Sequence, residues 1–327
     1  MGGEHCPQGC GSEIASADTK DGSSRGLVFP AGGFLSMALQ PITFDEFAAL
    51  EAANGGRMIR RSGIYWKVVR PFFYQPLIPW AEYPHASLRG PTAAVLGGWQ
   101  HVVPVHEPSN SSLRFLAFSG LRDYGLDSLD YNRRRQLKIA MRRFTVREMV
   151  DREELSRLGY PVYLDFYART DYDYYTSRTQ EPTYAAWSNR LFDCQKLLIL
   201  GAFDGNQLVA ISVSYLFGSS LSYMTFFSTT DAQKSFISDL MLHQVREFAA
   251  ERQEVTTLIA TRYKGGSSLD RFYLMRGAEI VVKPSYLTIN PLASLALKLF
   301  FPKRAVAVWG EGTPQPASAM DLRKVES

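Results

Sequence analysis

Apolar and polar positions divide this chain into two halves of unequal regularity. In the second half, residues 197–203, 208–217 and 221–227 are apolar runs rich in β-branched and aromatic residues. They are joined by Asp204-Gly205-Asn206 and Gly218-Ser219-Ser220, turn sequences that tolerate positive φ, so three strands linked by hairpins are predicted. Thr230-Asp231-Ala232-Gln233 has capping-box spacing, and Ile237, Leu240, Met241, Val245, Phe248 and Ala249 behind it fall on one face of a long helix. Residues 256–261 read as a strand, 267–276 as a helix closed by Gly277, and 279–289 as a last strand. Residues 196–290 are thus predicted to form one β-β-β-α-β-α-β unit.

The first half is less regular. Thr43 and Glu46 make a capping box for a helix ending at Ala53, where Asn54-Gly55-Gly56 stops it. Residues 57–70 read as a hairpin turning near Ser62-Gly63. Pro71, Pro76, Pro79, Pro84, Pro91 and Pro104 exclude long helices and central strands from 71–108. A strand follows over 112–119. Over 129–143 a helix is expected, with Leu137, Ala140, Met141 and Phe144 on its apolar side and Arg134, Lys138 and Arg142 in a basic stripe. Residues 144–150 read as a strand and 151–170 as mostly helix. A tyrosine-rich stretch (Tyr172, Tyr174, Tyr175, Tyr184) then leads into a short helix to Phe192.

Composition sharpens this picture in a few places. With 327 residues, 46% of them apolar, the chain can form a packed core, and its length suggests two domains. A formal charge of +4 demands neither a nucleic-acid nor a membrane partner. Cys6, Cys10 and Cys194 form no disulfide framework, which suits a reducing compartment. The start lacks a secretory pattern, and position 6 is Cys where a myristoylation signal has Ser or Thr. No apolar run reaches membrane-span length; the nearest, 292–301, contains Lys298. A cytoplasmic location without a membrane span is expected. Residues 1–26 are predicted to be disordered and 302–327 to be a loose tail.

The element order of residues 196–290 resembles the GNAT N-acyltransferase fold. The segment Ser268-Leu269-Asp270-Arg271-Phe272-Tyr273-Leu274-Met275-Arg276-Gly277 adds a local match, because the family's last helix commonly carries a Tyr four residues before a Gly. Upstream, Asn132-Arg133-Arg134-Arg135-Gln136-Leu137-Lys138 precedes a strand and an acidic helix start, Asp151-Arg152-Glu153-Glu154. This is similar to the Fem-type branch, in which two GNAT-like lobes pack together and which includes aminoacyltransferases fed by aminoacyl-tRNA. The resemblance implies an α/β (α+β) fold with a mixed, mostly antiparallel sheet and flanking helices, in lobes 27–145 and 146–301. It implies N-acyl transfer, of an acetyl, acyl or aminoacyl group, to a small-molecule or peptide amine. Acyl-CoA is the implied donor and aminoacyl-tRNA the alternative, with no metal. Tyr273 would protonate the leaving group, and Phe227, Ser228, Thr229, Thr230, Lys234 and Ser235 would hold the donor. One departure stands out. Acetyl-CoA-using members typically have Gln/Arg-x-x-Gly-x-Gly/Ala before the long helix, so that backbone N–H groups reach the pyrophosphate. Here residues 228–235 contain no glycine, which argues against ordinary acetyl-CoA use. The alternative is a catalytically silent GNAT-like module that binds a metabolite or a partner protein.

Other constellations have plain structural readings. Tyr273 also suits packing on the sheet beside Phe272. Asp239 and His243, four apart on one helix, could form an acid–base pair, but they lie off the apolar stripe and solvent exposure is expected. His101 and His106, five apart in an extended segment, should face opposite ways, with Glu107 adjacent. His5, Cys6 and Cys10 fall short of the four ligands of a structural zinc site. The basic run of Arg133, Arg134, Arg135, Lys138, Arg142, Arg143 and Arg147 reads as a solvated face, or as a site for the phosphates of CoA, a tRNA or another RNA. The tyrosine cluster, with Asp165, Asp171 and Asp173 nearby, lines a channel between lobes or packs between them. Hydrolase, NTPase and zinc-protease motifs are absent.

Overall fold

The computed structural model describes residues 39–170 and 176–300. The expectations for 1–26, 302–327, His5, Cys6, Cys10, Asp171, Tyr172, Asp173, Tyr174 and Tyr175 fall outside them. The first half contains α1 (Phe44–Ala53), β1 (Met58–Arg61), β2 (Ile64–Arg70), β3 (Phe73–Pro76), β4 (Gly98–Val102), β5 (Ser111–Phe118) and α2 (Tyr131–Arg143). Then come β6 (Phe144–Glu148), α3 (Arg152–Arg169), α4 (Glu181–Asp193), β7 (Leu197–Asp204), β8 (Gln207–Phe217) and β9 (Ser220–Ser228). The chain continues with α5 (Thr230–Lys234), α6 (Ile237–Ala250), β10 (Thr257–Arg262), α7 (Ser268–Leu274), β11 (Glu279–Ile289) and α8 (Pro291–Phe300).

Local chemistry accounts for many of these limits. At α1 the Thr43 hydroxyl accepts from the Glu46 N–H, and the Glu46 carboxylate accepts from the Thr43 N–H, as the capping box requires. Asp151 caps α3 through the Glu153 and Glu154 N–H groups. Gly277, at φ +85°, ends the turn after α7 in a conformation that disfavours a Cβ.

All the strands belong to one mixed sheet, in the order β1-β2-β3-β4-β11-β5-β10-β9-β8-β7-β6. Among the described strands, β3/β4 and β9/β10 are the parallel pairs. From either edge the strands run antiparallel to a parallel pair and then meet a strand from the other end of the sequence: β11 beside β4, β5 beside β10. The mostly antiparallel sheet with flanking helices expected from the resemblance is present. The elements of 196–290 follow the expected order, but β10 and β11 are not neighbours, because β5 runs between them.

One large core lies under α1, α3 and α4, where Phe47, Leu155, Tyr163, Tyr184 and Trp187 meet Ile211 and Phe227 of the sheet. Tyr184 thus packs in the core. The α6 stripe is buried as predicted.

Three expectations are corrected. First, β4 is an interior strand of the 71–108 stretch, buried along its whole length between β3 and β11. It fits in the proline-free gap between Pro91 and Pro104. Second, the N-cap after β9 is Thr229, which accepts from the Ala232 N–H, so Thr230 opens no capping box. Third, the helix after that cap is interrupted. Phe236, at φ +63°, separates α5 from α6.

Candidate functional site

The candidate site lies where β9 and β10 part. They pair at Ser220, Leu221 and Ser222 with Thr257, Leu258 and Ile259, and no further. Each strand carries an irregularity just beyond. On β9, Met224 has no partner between the Ser214/Tyr223 and Val213/Thr225 pairs; on β10, Ala260 is skipped between Ile259/Ala117 and Thr261/Leu116. Extra residues of this kind bend a strand and increase its twist, which turns β9 away from β10. The backbone of β9 beyond Ser222 is therefore released from β10 on one side.

Tyr273 reaches this point from α7. It is buried and packs edge-on against Phe118 and Phe272. Burial raises the pKa of Tyr273. Tyr223, the first β9 residue past the pairing, is raised by burial and further by the phenol of Tyr273. Both phenols keep their protons at neutral pH, so Tyr273 has a proton to donate. The loop before α7 is held by Asp270, fully buried, which accepts from the N–H groups of Lys264, Gly266 and Ser267.

The loop at the end of β9 is tied down internally. The Asp165 carboxylate of α3 accepts from the Thr230 N–H at 3.1 Å and from the Thr230 hydroxyl. The Arg169 guanidinium donates to the Ser228 carbonyl at 3.0 Å, and Gln233 donates to the Ser228 hydroxyl. Arg143 joins Asp204, Asp231 and Ser235 at 2.8, 2.6 and 2.7 Å. An anion is favourable at a helix start, and here the protein's own carboxylate supplies it. Of the residues expected to hold a donor, Phe227 is in the core, Thr229 is the cap, and Ser228, Thr230 and Ser235 have internal partners. Lys234 is exposed. The structure gathers these six around one turn of chain and places Tyr273 separately, beside Tyr223.

Asp239 and His243 are not exposed, contrary to expectation. α2 and the turn at Leu121–Asp123 cover that side of α6. His243 is 2% exposed and pairs through Nδ1 with the Tyr124 hydroxyl at 2.8 Å. Asp239 binds Arg276 through both oxygens at 2.8 Å and approaches Arg133 at 3.7 Å. They line a cavity of about 320 Å³ with Tyr124, Arg133, Arg246 and Arg276. Other members of the basic run are neutralised too, Arg134 by Asp127 and Arg147 by Glu154. Arg135, Lys138 and Arg142 point to solvent. His101 is buried and His106 exposed, so the two do not converge. His101 stacks on Trp99 and His85, and burial lowers its pKa to about 4, with His85 adding to the shift. Among the described residues, no group of three or more His, Cys, Asp and Glu is placed to hold a metal ion. No described helix is long and apolar enough to cross a membrane.

No protein-family model matches this sequence, and no curated protein matches it. Solved structures do. The C-terminal domain of a putative lysylphosphatidylglycerol synthetase from Agrobacterium fabrum superposes with a TM-score of 0.50 at 11% identity, over 82% of this chain and 93% of that one. L-PGS from Bacillus licheniformis gives 0.49 at 12%, over 84% and 100%. FemX gives 0.47 at 10%, over 78% and 93%. At such identities the Agrobacterium likeness shows a shared fold alone, and it agrees with the topology above.

Proposed function

We propose that this protein is an N-acyltransferase of GNAT/Fem-like type, moving an acetyl, acyl or aminoacyl group from an activated ester or thioester to an amine. The observation that carries this reading is the β9/β10 divergence with the protonated phenol of Tyr273 beside it. The amine nitrogen attacks the donor carbonyl carbon. Backbone N–H groups of β9 released from β10 stabilise the oxygen as it gains charge. The C–O or C–S bond then breaks, the leaving atom takes the proton of Tyr273, and the phenol is restored by the proton lost from the amine.

The same reading divides the chain into lobes 27–145 and 146–301, each completing its sheet with a strand of the other, β11 and β5. Asp165 on the Thr230 amide favours a donor that does not place a pyrophosphate there. Aminoacyl-tRNA is such a donor, and Arg135, Lys138 and Arg142 offer it exposed positive charge. The test incubates the full chain with acetyl-CoA, longer acyl-CoAs or aminoacyl-tRNAs and a panel of small amines and peptides, with amide products followed by mass spectrometry. Product with at least one donor, lost in Tyr273→Phe, is the expected result; no product from any pair sinks the proposal.

The occupied amide of Thr230 and the glycine-free loop favour a second reading, a catalytically silent module that binds a metabolite or partner protein. It predicts no transfer with any donor, together with a small molecule or protein that co-purifies in stoichiometric amount.

A further inference from the structure

β10 ends on Arg262, three residues past Ile259, its last contact with β9. Its backbone is on the strand that borders the divergence, and its side chain reaches the other way, over the sheet toward β3. Its Nη1 donates to the Gln75 Oε1 of β3 at 3.1 Å. Gln75 Nε2 donates to Gln100 Oε1 of β4 at 3.3 Å, and Gln100 Nε2 donates to Ser111 and Ser285 hydroxyls, each at 3.0 Å. Gln75, Gln100, Ser111 and Ser285 are all buried. Five strands thus contribute to one directional chain. A guanidinium only donates, so the Arg262 end fixes the polarity of the whole chain: Gln75 must present its oxygen to Arg262 and its nitrogen to Gln100. A buried amide relay therefore holds an arginine whose stem is open to solvent while its guanidinium is partly desolvated.

That arginine differs from those held by carboxylates. Arg133, Arg143, Arg147, Arg152 and Arg276 each face a carboxylate. Among the described residues Arg262 faces a neutral amide and the like charge of Arg70, and desolvation first and Arg70 second lower its pKa. An oxyanion at this place would relieve both effects and take a paired hydrogen bond from the guanidinium fork.

We infer that Arg262, reinforced by Arg70, is an anion-recognition point at the end of β10 on its β3-facing side, and that a substrate reaching it carries a carboxylate or phosphate. Calling that anion part of a substrate rests on the acyltransfer reading; the binding point itself does not. The test is calorimetric titration of the full chain, at fixed ionic strength, with citrate and with inorganic pyrophosphate. Variants are Arg262→Gln, Arg262→Lys, Arg70→Gln and Gln100→Leu, each checked by circular dichroism and melting. Saturable binding is expected for wild type, weakened about tenfold in Arg262→Gln, less in Arg262→Lys and Arg70→Gln. Gln100→Leu, which leaves both arginines in place, should also weaken it. Binding of citrate alone assigns a carboxylate, and of pyrophosphate alone a phosphate. Equal affinity of Arg262→Gln and wild type, or no saturable binding of either probe, overturns the inference; wild-type affinity in Gln100→Leu overturns the positioning relay. Because no turnover is needed, an absent transfer activity and an absent anion site are told apart.

Discussion

The sheet contains two parallel pairs, and the contrast between them bears on where the proposed chemistry would sit. β3 and β4 pair only at Phe73/Gly98 and Tyr74/Trp99, much as β9 and β10 pair over three residues. After β9 the chain enters α5 and α6. After β3 it enters residues 77–97, where Pro79, Pro84 and Pro91 allow only short 3-10 turns. That segment lies on the sheet. His85 stacks on Tyr286, and Gly90 passes so near the Trp99 ring that a Cβ would meet it at 2.6 Å. Parting two strands is thus a property of sheet geometry, whereas a site depends on the segment into which the strand leads. The first divergence is covered by aromatic packing and lined by the buried Gln75–Gln100 relay. The second keeps Tyr223, Tyr273 and a helix start, braced by carboxylates on arginines and amides. Neutral stacking on one side and charge pairing on the other should respond oppositely to loss and gain of charge.

The largest effect is expected on the charged side. Asp239 and Arg276 are 11% and 13% exposed, and Asp239→Ala leaves Arg276 its bond to the Phe272 carbonyl and the face of the Phe272 ring, but no carboxylate among those described for it. Removing one partner of a buried pair costs about 4 kcal/mol. Urea unfolding measures it, and a loss under about 1 kcal/mol, the value of a surface pair, would mean that charge pairing does not brace this half.

On the neutral side the sensitive event is protonation. His101 is held at about 4, below the 6.5 it has when free. As pH falls through 6.5 the unfolded chain takes up this proton first, so stability is full above 6.5 and declines until the folded form titrates near 4. The whole decline is about 3 kcal/mol, of which about 2 falls between pH 6.5 and 5. Carboxylates such as Glu46, lowered to about 2 by its bonds to Thr43 and Lys196, lose their contribution only at lower pH. His101→Phe should flatten the upper window in urea midpoints taken against pH; an unchanged slope would detach it from the stack.

Much of this arrangement is legible in sequence, for local reasons. The Thr43 box, the hairpins of the second half and the α6 stripe are each set by residues within a few positions of one another. The features that escape are set from afar. Asp239 and His243 look exposed on α6 because the elements that bury them, α2 and the turn at Leu121–Asp123, lie far earlier in the chain, as the Tyr124–His243 separation of 119 shows. β5 slips between β10 and β11 with no mark in its own sequence. In the candidate site, Tyr273 is the one residue that a local spacing, to Gly277, singles out. Asp165, 65 residues from Thr230, and Arg262, 187 residues from Gln75, give no such sign of these roles, since a side chain's partner across a fold leaves no periodic trace.

Tyr273→Phe tests the second divergence as a place of chemistry. The ring and its packing on Phe118 survive, so stability should hardly move. Loss of a positioned acid should lower kcat about 100-fold, or about 2.7 kcal/mol in the barrier, with KM within a few-fold. A kcat within threefold of wild type would reduce Tyr273 to a packing residue, and the two divergences would then differ in covering alone.

The smallest effect concerns Asp165. Asp165→Asn keeps the side chain's size and one acceptor while removing the charge at the start of α5. The lost charge–dipole and charge-assisted bonding should cost about 1 kcal/mol. The informative change is in selectivity. If the carboxylate occupies the position a pyrophosphate would take, the neutral variant should bind coenzyme A at least tenfold more tightly than wild type, while Asp231→Asn, whose carboxylate faces Arg143, should not. Tryptophan fluorescence titration with coenzyme A separates the cases. Equal affinity in wild type and Asp165→Asn would show that the helix start is closed to phosphate by its glycine-free backbone, which places the donor elsewhere along β9.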